Sequence, residues 1–100
     1  MELGLRGKSV VVTGGGSNIG RAIVHAFAAE GSNITIAELA PSQGEKVAAE
    51  VAATGSASRV KVIAADVSDH HQVESMVEQT LAEFGSIDVF VNNVGWTIDR

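Results

Sequence analysis

Four short stretches carry residues able to do chemistry, and each lies just past an apolar run. Thr13-Gly14-Gly15-Gly16-Ser17-Asn18-Ile19-Gly20 follows three valines, and Glu38 ends a run centred on Ile34-Thr35-Ile36. Asp66-Val67 follows Val60 to Ala65, and Asn92-Asn93-Val94-Gly95 follows Val89-Phe90-Val91. The first stretch is a glycine-rich turn between an apolar run and a helix-like pattern. Strand, turn and helix N-terminus together form an anion site, because backbone N–H groups and the positive end of the helix dipole converge on it. Glycine serves such a turn twice: some positions take positive φ, and at others a Cβ would stand between backbone and ligand. A phosphate is the natural occupant. Alone, the turn is equally a structural loop, so the other three stretches decide.

Glu38 stands about 20 residues beyond the turn, where an acidic side chain accepts hydrogen bonds from ribose hydroxyls and marks NAD binding. It would repel a 2′-phosphate, and Gly16, Ser17 and Leu39 offer no cation to hold one. Asp66 is suited to receive an adenine amino group while the Val67 backbone meets the ring edge. Its alternative role is a turn aspartate ahead of Ser68.

The elements that position these residues are legible from periodicity. Ser9 to Thr13 reads as a strand buried on both faces, as in a parallel sheet. A helix follows with Ile19, Ala22, Ile23, Ala26 and Phe27 on one stripe, His25 off it in solvent, and Gly31 as a stop. Asn33 to Glu38 is a second strand, and Pro41 suits the first turn of a helix running to about Thr54 through Val47, Ala48, Val51 and Ala52, closed by Gly55. Val60 to Ala65 is a third strand. Asp69-His70-His71-Gln72 has the form of a capping box, with Gln72 reaching back. The helix it opens shows Val73, Met76, Val77, Thr80, Leu81 and Phe84 at helical spacing before Gly85. His70 and His71 diverge as neighbours in that first turn, which speaks against a metal pair. Ile87 to Asn92 is a fourth strand.

The order β-α-β-α-β-α-β with short connections calls for a parallel sheet with right-handed crossovers. The expected architecture is a doubly wound α/β unit of strand order 3-2-1-4, with the first two helices on one face and the third on the other. Ligands bind such sheets at the carboxyl ends of the strands, where the order reverses. All four chemical stretches fall on that edge.

With these motifs in order, the chain resembles the N-terminal part of a short-chain dehydrogenase/reductase, which implies a Rossmann-type fold. The family's T-G-x-x-x-G-x-G matches Thr13 to Gly20 except that Asn18 stands at the second glycine. Its aspartate-valine matches Asp66-Val67, and its N-N-A-G matches Asn92-Asn93-Val94-Gly95 with valine for alanine. Asparagine tolerates positive φ better than other non-glycine residues, so the turn is expected to survive. By the resemblance, Thr13 ties to the Asn92–Asn93 region. It also implies NAD-linked interconversion of a secondary alcohol and a ketone by hydride transfer. The expected cofactor contacts are Gly14, Ser17, Asn18, Ile19, Gly20, Glu38, Asp66, Val67, Asn93 and Gly95.

The family's proton transfer uses a tyrosine and a lysine four residues later, with a serine and a further asparagine. The chain contains no tyrosine, so no catalytic role passes to any of its residues. Trp96 either lines a substrate pocket or packs against other protein. The surrounding Asn-Asn-Val-Gly-Trp is similar to dehydrogenases of cyclic hydroxyacyl-CoA thioesters.

One hundred residues, 45% of them hydrophobic, suffice for one core. The net charge of −5 and pI near 5.0 disfavour nucleic-acid and membrane partners. The absence of cysteine and of an apolar leader or span leads us to expect a soluble cytoplasmic protein. We read residues 1–100 as the cofactor-binding part of one domain, cut before its catalytic residues. Strand four would then leave Val89-Phe90-Val91 as an exposed apolar edge, through which the isolated chain aggregates or forms a homo-oligomer. A non-catalytic nucleotide-binding or subunit-pairing protein of the same fold is the alternative. Another doubly wound enzyme, such as an epimerase, fits the glycine spacing and the asparagine motif less well.

Overall fold

A computed structural model describes residues 4–93. Its elements are β1 (Ser9–Thr13), α1 (Asn18–Ala29), β2 (Asn33–Glu38), α2 (Pro41–Ala53), β3 (Val60–Ala64), α3 (His70–Phe84) and β4 (Val89–Asn92). The four strands form one parallel sheet in the order β3-β2-β1-β4. In register, Val10 is opposite Ile34 and Val89, and Ile34 is opposite Val60. The expected Rossmann-type topology is the observed one.

The valine run of β1 is β-branched throughout and buried on both faces. Val10 and Val12 point into a core with Ile34, Ile36, Val24, Ala28, Val47 and Val51, which places α1 and α2 on one face. Val11 points the other way, to Ala37, Ile63, Ala65 and Met76 beneath α3. The period of two along one strand therefore feeds two cores.

The helical faces differ in detail from the sequence expectation. In α1 the buried line is Gly20, Val24 and Ala28, with Ile23 and Phe27 beside it, whereas Ile19 is 67% exposed and Ala22 and Ala26 face solvent. The buried line is set by Gly20, which lets the helix start against the turn. In α2 Gly44 joins Val47 and Val51 in the buried face, and Ala52 is exposed. In α3 Met76 and Thr80 are buried, while Leu81 is 44% exposed. Thr80 Oγ1 lies 3.0 Å from Thr35 Oγ1 and 2.9 Å from the Met76 carbonyl, so a polar residue on the core stripe is satisfied.

The cap of α3 also departs from the reciprocal box. The Asp69 carboxylate accepts from the His71 and Gln72 N–H groups as expected. Gln72, however, uses Oε1 to accept from the Asp66 N–H at 2.8 Å, and Asp69 N–H donates instead to the Asp66 carbonyl. Gln72 thus ties the helix to the end of β3. Strand four starts at Val89, two residues later than expected. Asp88 ends its approach by exchanging bonds with Ser9: its N–H donates to the Ser9 carbonyl, and its carboxylate accepts the Ser9 N–H, both at 2.8 Å.

Candidate functional site

The carboxyl ends of all four strands meet at one edge of the sheet. Only glycines among the described residues take positive φ, and Gly14, at +65°, makes the bend after β1. Its N–H donates to the Ala37 carbonyl at 2.8 Å, holding the turn to β2. Ser17 caps α1: its Oγ accepts the Gly20 N–H at 3.1 Å and donates to the Gly14 carbonyl at 2.9 Å.

Asn18 is the first residue of the helix with negative φ. Tolerance of positive φ is therefore not what admits asparagine here; the position is ordinary helix and its side chain faces solvent. As the first two residues of α1, Asn18 and Ile19 have N–H groups with no carbonyl behind them inside the helix. They form the open, positive end of the dipole.

Thr13 joins the turn to β4, as expected from the resemblance. Its buried Oγ1 accepts the Asn93 N–H at 2.8 Å and lies 3.0 Å from Asn92 Oδ1, to which it donates. Asn93 Nδ2 in turn donates to the Gly14 carbonyl at 3.2 Å and to Ser17 Oγ at 3.0 Å. A Cβ on Gly20 would overlap the Gly14 carbonyl oxygen and crowd Asn93 Nδ2. Packing against the turn is therefore by itself enough to require glycine at this position.

Glu38 projects beside the turn, its Oε1 accepting the Gly16 N–H at 2.6 Å. Asp66 Oδ1 accepts both the N–H and the hydroxyl of Ser68, at 2.9 and 2.6 Å. These bonds hold its carboxyl below the usual carboxylate range, the hydroxyl contributing most. The turn role of Asp66 is thus realised, and an ionised acceptor results.

A cleft of about 320 Å³ runs between these residues. Gly14, Ser17 and Asn93 form one wall, Glu38 the lip, and Ala65, Asp66, Val67 and Ser68 the other side. Ala37 and Leu39 complete it, and Leu39 is 73% exposed. Asn18, Ile19 and Gly20 stand next to the cleft rather than in its lining. Gly95, together with Val94 and Trp96, lies outside the described residues. Sequence reasoning missed Leu39 and Ser68 as wall residues; Leu39 directly follows the end of β2, which was the available signal, whereas Ser68 stands four residues past the end of β3.

A larger hollow, about 480 Å³, lies at the opposite end between Arg6, His25, Ala28 and the segment Thr54 to Ala57. Three of its polar side chains are engaged internally. Thr54 Oγ1 donates to the Val51 carbonyl, Ser56 Oγ donates to the Ala28 carbonyl, and His25 pairs with Glu50. Among the described residues no strand carboxyl end or helix N-terminus lines it, so the smaller cleft is the candidate site.

The family model described as short chain dehydrogenase matches residues 8–100. The chain belongs to this family. It is 42% identical over 89 residues to the 2,5-dichloro-2,5-cyclohexadiene-1,4-diol dehydrogenase of Sphingobium indicum, covering 89% of this chain and 34% of that protein. Among solved structures it resembles a citronellol catabolism dehydrogenase of Pseudomonas aeruginosa, with TM-score 0.87 and 36% identity over 97% of this chain and 40% of that one. It also resembles the 3-ketoacyl-(acyl-carrier-protein) reductase of Brucella melitensis complexed with NADH, with TM-score 0.76 and 34% identity, covering 86% of this chain and 33% of that one. The chain spans about a third of the length of the curated relatives it matches. As a short-chain dehydrogenase chain it has the Rossmann-type nucleotide-binding fold, and the cleft lies at that fold's topological switch point between β1 and β4. Among the described residues there is no helix long and apolar enough to cross a membrane, and no group of three side chains placed to hold a metal.

Proposed function

We propose that the chain is the cofactor-binding part of an NAD-dependent short-chain dehydrogenase/reductase that interconverts a secondary alcohol and a ketone. The observation that carries this reading is the lip of the cleft: the acidic Glu38 occupies it, and among the described residues no lysine or arginine lines the cleft. A carboxylate there accepts two ribose hydroxyls and repels a 2′-phosphate. The residues present fit a dinucleotide. The N–H groups of Asn18 and Ile19 face its pyrophosphate, with Gly14, Ser17 and Gly20 shaping the turn that admits it. Glu38 takes the adenosine ribose, and Asp66 with the Val67 backbone takes the adenine, against the exposed Leu39. Asn93 closes the side next to β4, and Gly95 of the same motif is assigned to the cofactor by the family resemblance alone. When bound, the nicotinamide supplies the hydride acceptor or donor.

No residue of this sequence is assigned the proton transfer, since the chain has no tyrosine. The 100 residues alone therefore bind cofactor without turning over an alcohol. A cyclic or hydroxyacyl-CoA substrate is in keeping with the Asn-Asn-Val-Gly-Trp sequence, and the relative from Sphingobium indicum is named for a cyclic diol. A cytoplasmic location and a homo-oligomeric assembly accompany this reading. Titration with NAD and NADP, followed by calorimetry, tests it. NAD should bind more tightly, and tighter NADP binding would remove the role given to Glu38.

A further inference from the structure

We propose that Gly16 is a positioning and specificity-determining residue, acting through Glu38. The proposal rests on the NAD reading above and names what makes Glu38 selective. The Gly16 N–H donates to Glu38 Oε1 at 2.6 Å, shorter than the usual N–H···O distance. A glutamate at a strand end has three side-chain torsions and would otherwise sample many rotamers. Pinned by one oxygen, it keeps the other for a neighbouring hydroxyl pair, and the ordering cost is met before the ligand arrives.

The absence of a side chain at Gly16 is equally constrained. A Cβ there would lie 2.5 Å from Gln43 Cβ, 2.9 Å from the Gln43 carbonyl carbon and 2.9 Å from Glu38 Oε1. Two of those neighbours belong to the first turn of α2, which is itself held close to the sheet: a Cβ on Gly44 would meet Val62 at 2.9 Å and Ile36 at 3.1 Å. The glycine turn, the start of α2 and the acid at the end of β2 thus form one packed unit. Any side chain at position 16 displaces the carboxylate or the helix. The same contacts bar a lysine or arginine from position 16 itself, while Ser17 and Leu39 beside it carry no charge. Gly16 therefore aims the acid and keeps a cation from its own position next to the carboxylate.

The test measures dissociation constants for NAD and NADP on the full chain and on Gly16→Ala, Glu38→Ala and the double variant. Gly16→Ala should weaken NAD at least tenfold with a smaller change for NADP, and the double variant should bind no worse than Glu38→Ala alone. Equal losses for the two cofactors, or additive losses in the double variant, overturn the proposal. A wild-type chain that prefers NADP defeats the NAD reading itself, a separate outcome. Because Gly16→Ala strains the packing, a second readout avoids it: the amide proton resonance of Gly16 in the wild type against Glu38→Ala. It should move upfield in the variant while the Gly14 amide stays in place. An unmoved Gly16 resonance shows that no such bond exists and overturns the proposal.

Discussion

At the scale of single residues, the site is a set of short polar bonds that each serve the backbone first. Thr13 is the clearest case: it is buried, and its hydroxyl is shared between the Asn93 N–H and Asn92 Oδ1. Thr13→Val keeps the shape and leaves both partners without it. We expect a loss of about 1–3 kcal/mol in stability, read from urea unfolding, because a buried group left unpaired costs more than a bond gained. Glu38 differs in kind, since its second oxygen is what a ribose would use. Glu38→Ala should weaken NAD binding by about 1–3 kcal/mol with little change in stability; calorimetry and thermal melting separate the two. The role of Asn18 is one place where residue-level reading fell short. Sequence placed it inside the turn, whereas α1 begins there, and a boundary shift of one residue changes which backbone conformation is required.

At the scale of elements, two devices hold the helices to the sheet. Met76 is the buried knob of α3, fully enclosed against Val11, Ala37 and Ile63. Met76→Ala should cost about 2–5 kcal/mol, enough to unfold the chain partly at room temperature, which far-ultraviolet circular dichroism reports. Between α1 and α2, Glu50 Oε1 lies 2.8 Å from His25 Nε2 and 2.6 Å from Arg21 Nε. The bond from His25, then that from Arg21, holds the Glu50 carboxyl below its usual range. A depressed pKa contributes stability that is present above the ordinary carboxylate range and is lost as pH falls through the depressed value. Acid melting curves should therefore be shallower for Glu50→Gln than for the wild type below that range; identical slopes would remove the claim. His25 was expected in open solvent, and its pairing was invisible because Glu50 is distant in sequence. The first two strands, by contrast, were legible to the residue. Runs such as Val10-Val11-Val12 and Ile34-Thr35-Ile36 can be buried on two faces in only one way, whereas a helical stripe can rotate, as α1 does at Gly20.

At the scale of the whole molecule, the sheet order places the glycine turn next to Asn93 although 79 positions separate Gly14 from it. That adjacency was predictable from the doubly wound order 3-2-1-4, which sets β1 beside β4 at the reversal point. The cleft's lining was less so, since Leu39 and Ser68 enter it through loop geometry rather than periodicity. β4 is bonded to β1 alone among the described strands, and Phe90 is 47% exposed on it. An apolar edge of this kind pairs with other chains, so the 100-residue chain should self-associate. Phe90→Lys should shift sedimentation toward the monomer, and an unchanged distribution would place the contact elsewhere.

The central claim is that the cleft beside Glu38 holds NAD. The most direct measurement is amide chemical-shift mapping of the 100-residue chain during titration with NAD. The perturbed amides should cluster at residues 14–20, at Glu38 and Leu39, at Asp66 to Ser68 and at Asn93, while the hollow between Arg6, His25 and Ser56 stays unperturbed. Shifts confined to that hollow, or none at saturating NAD, would contradict the claim.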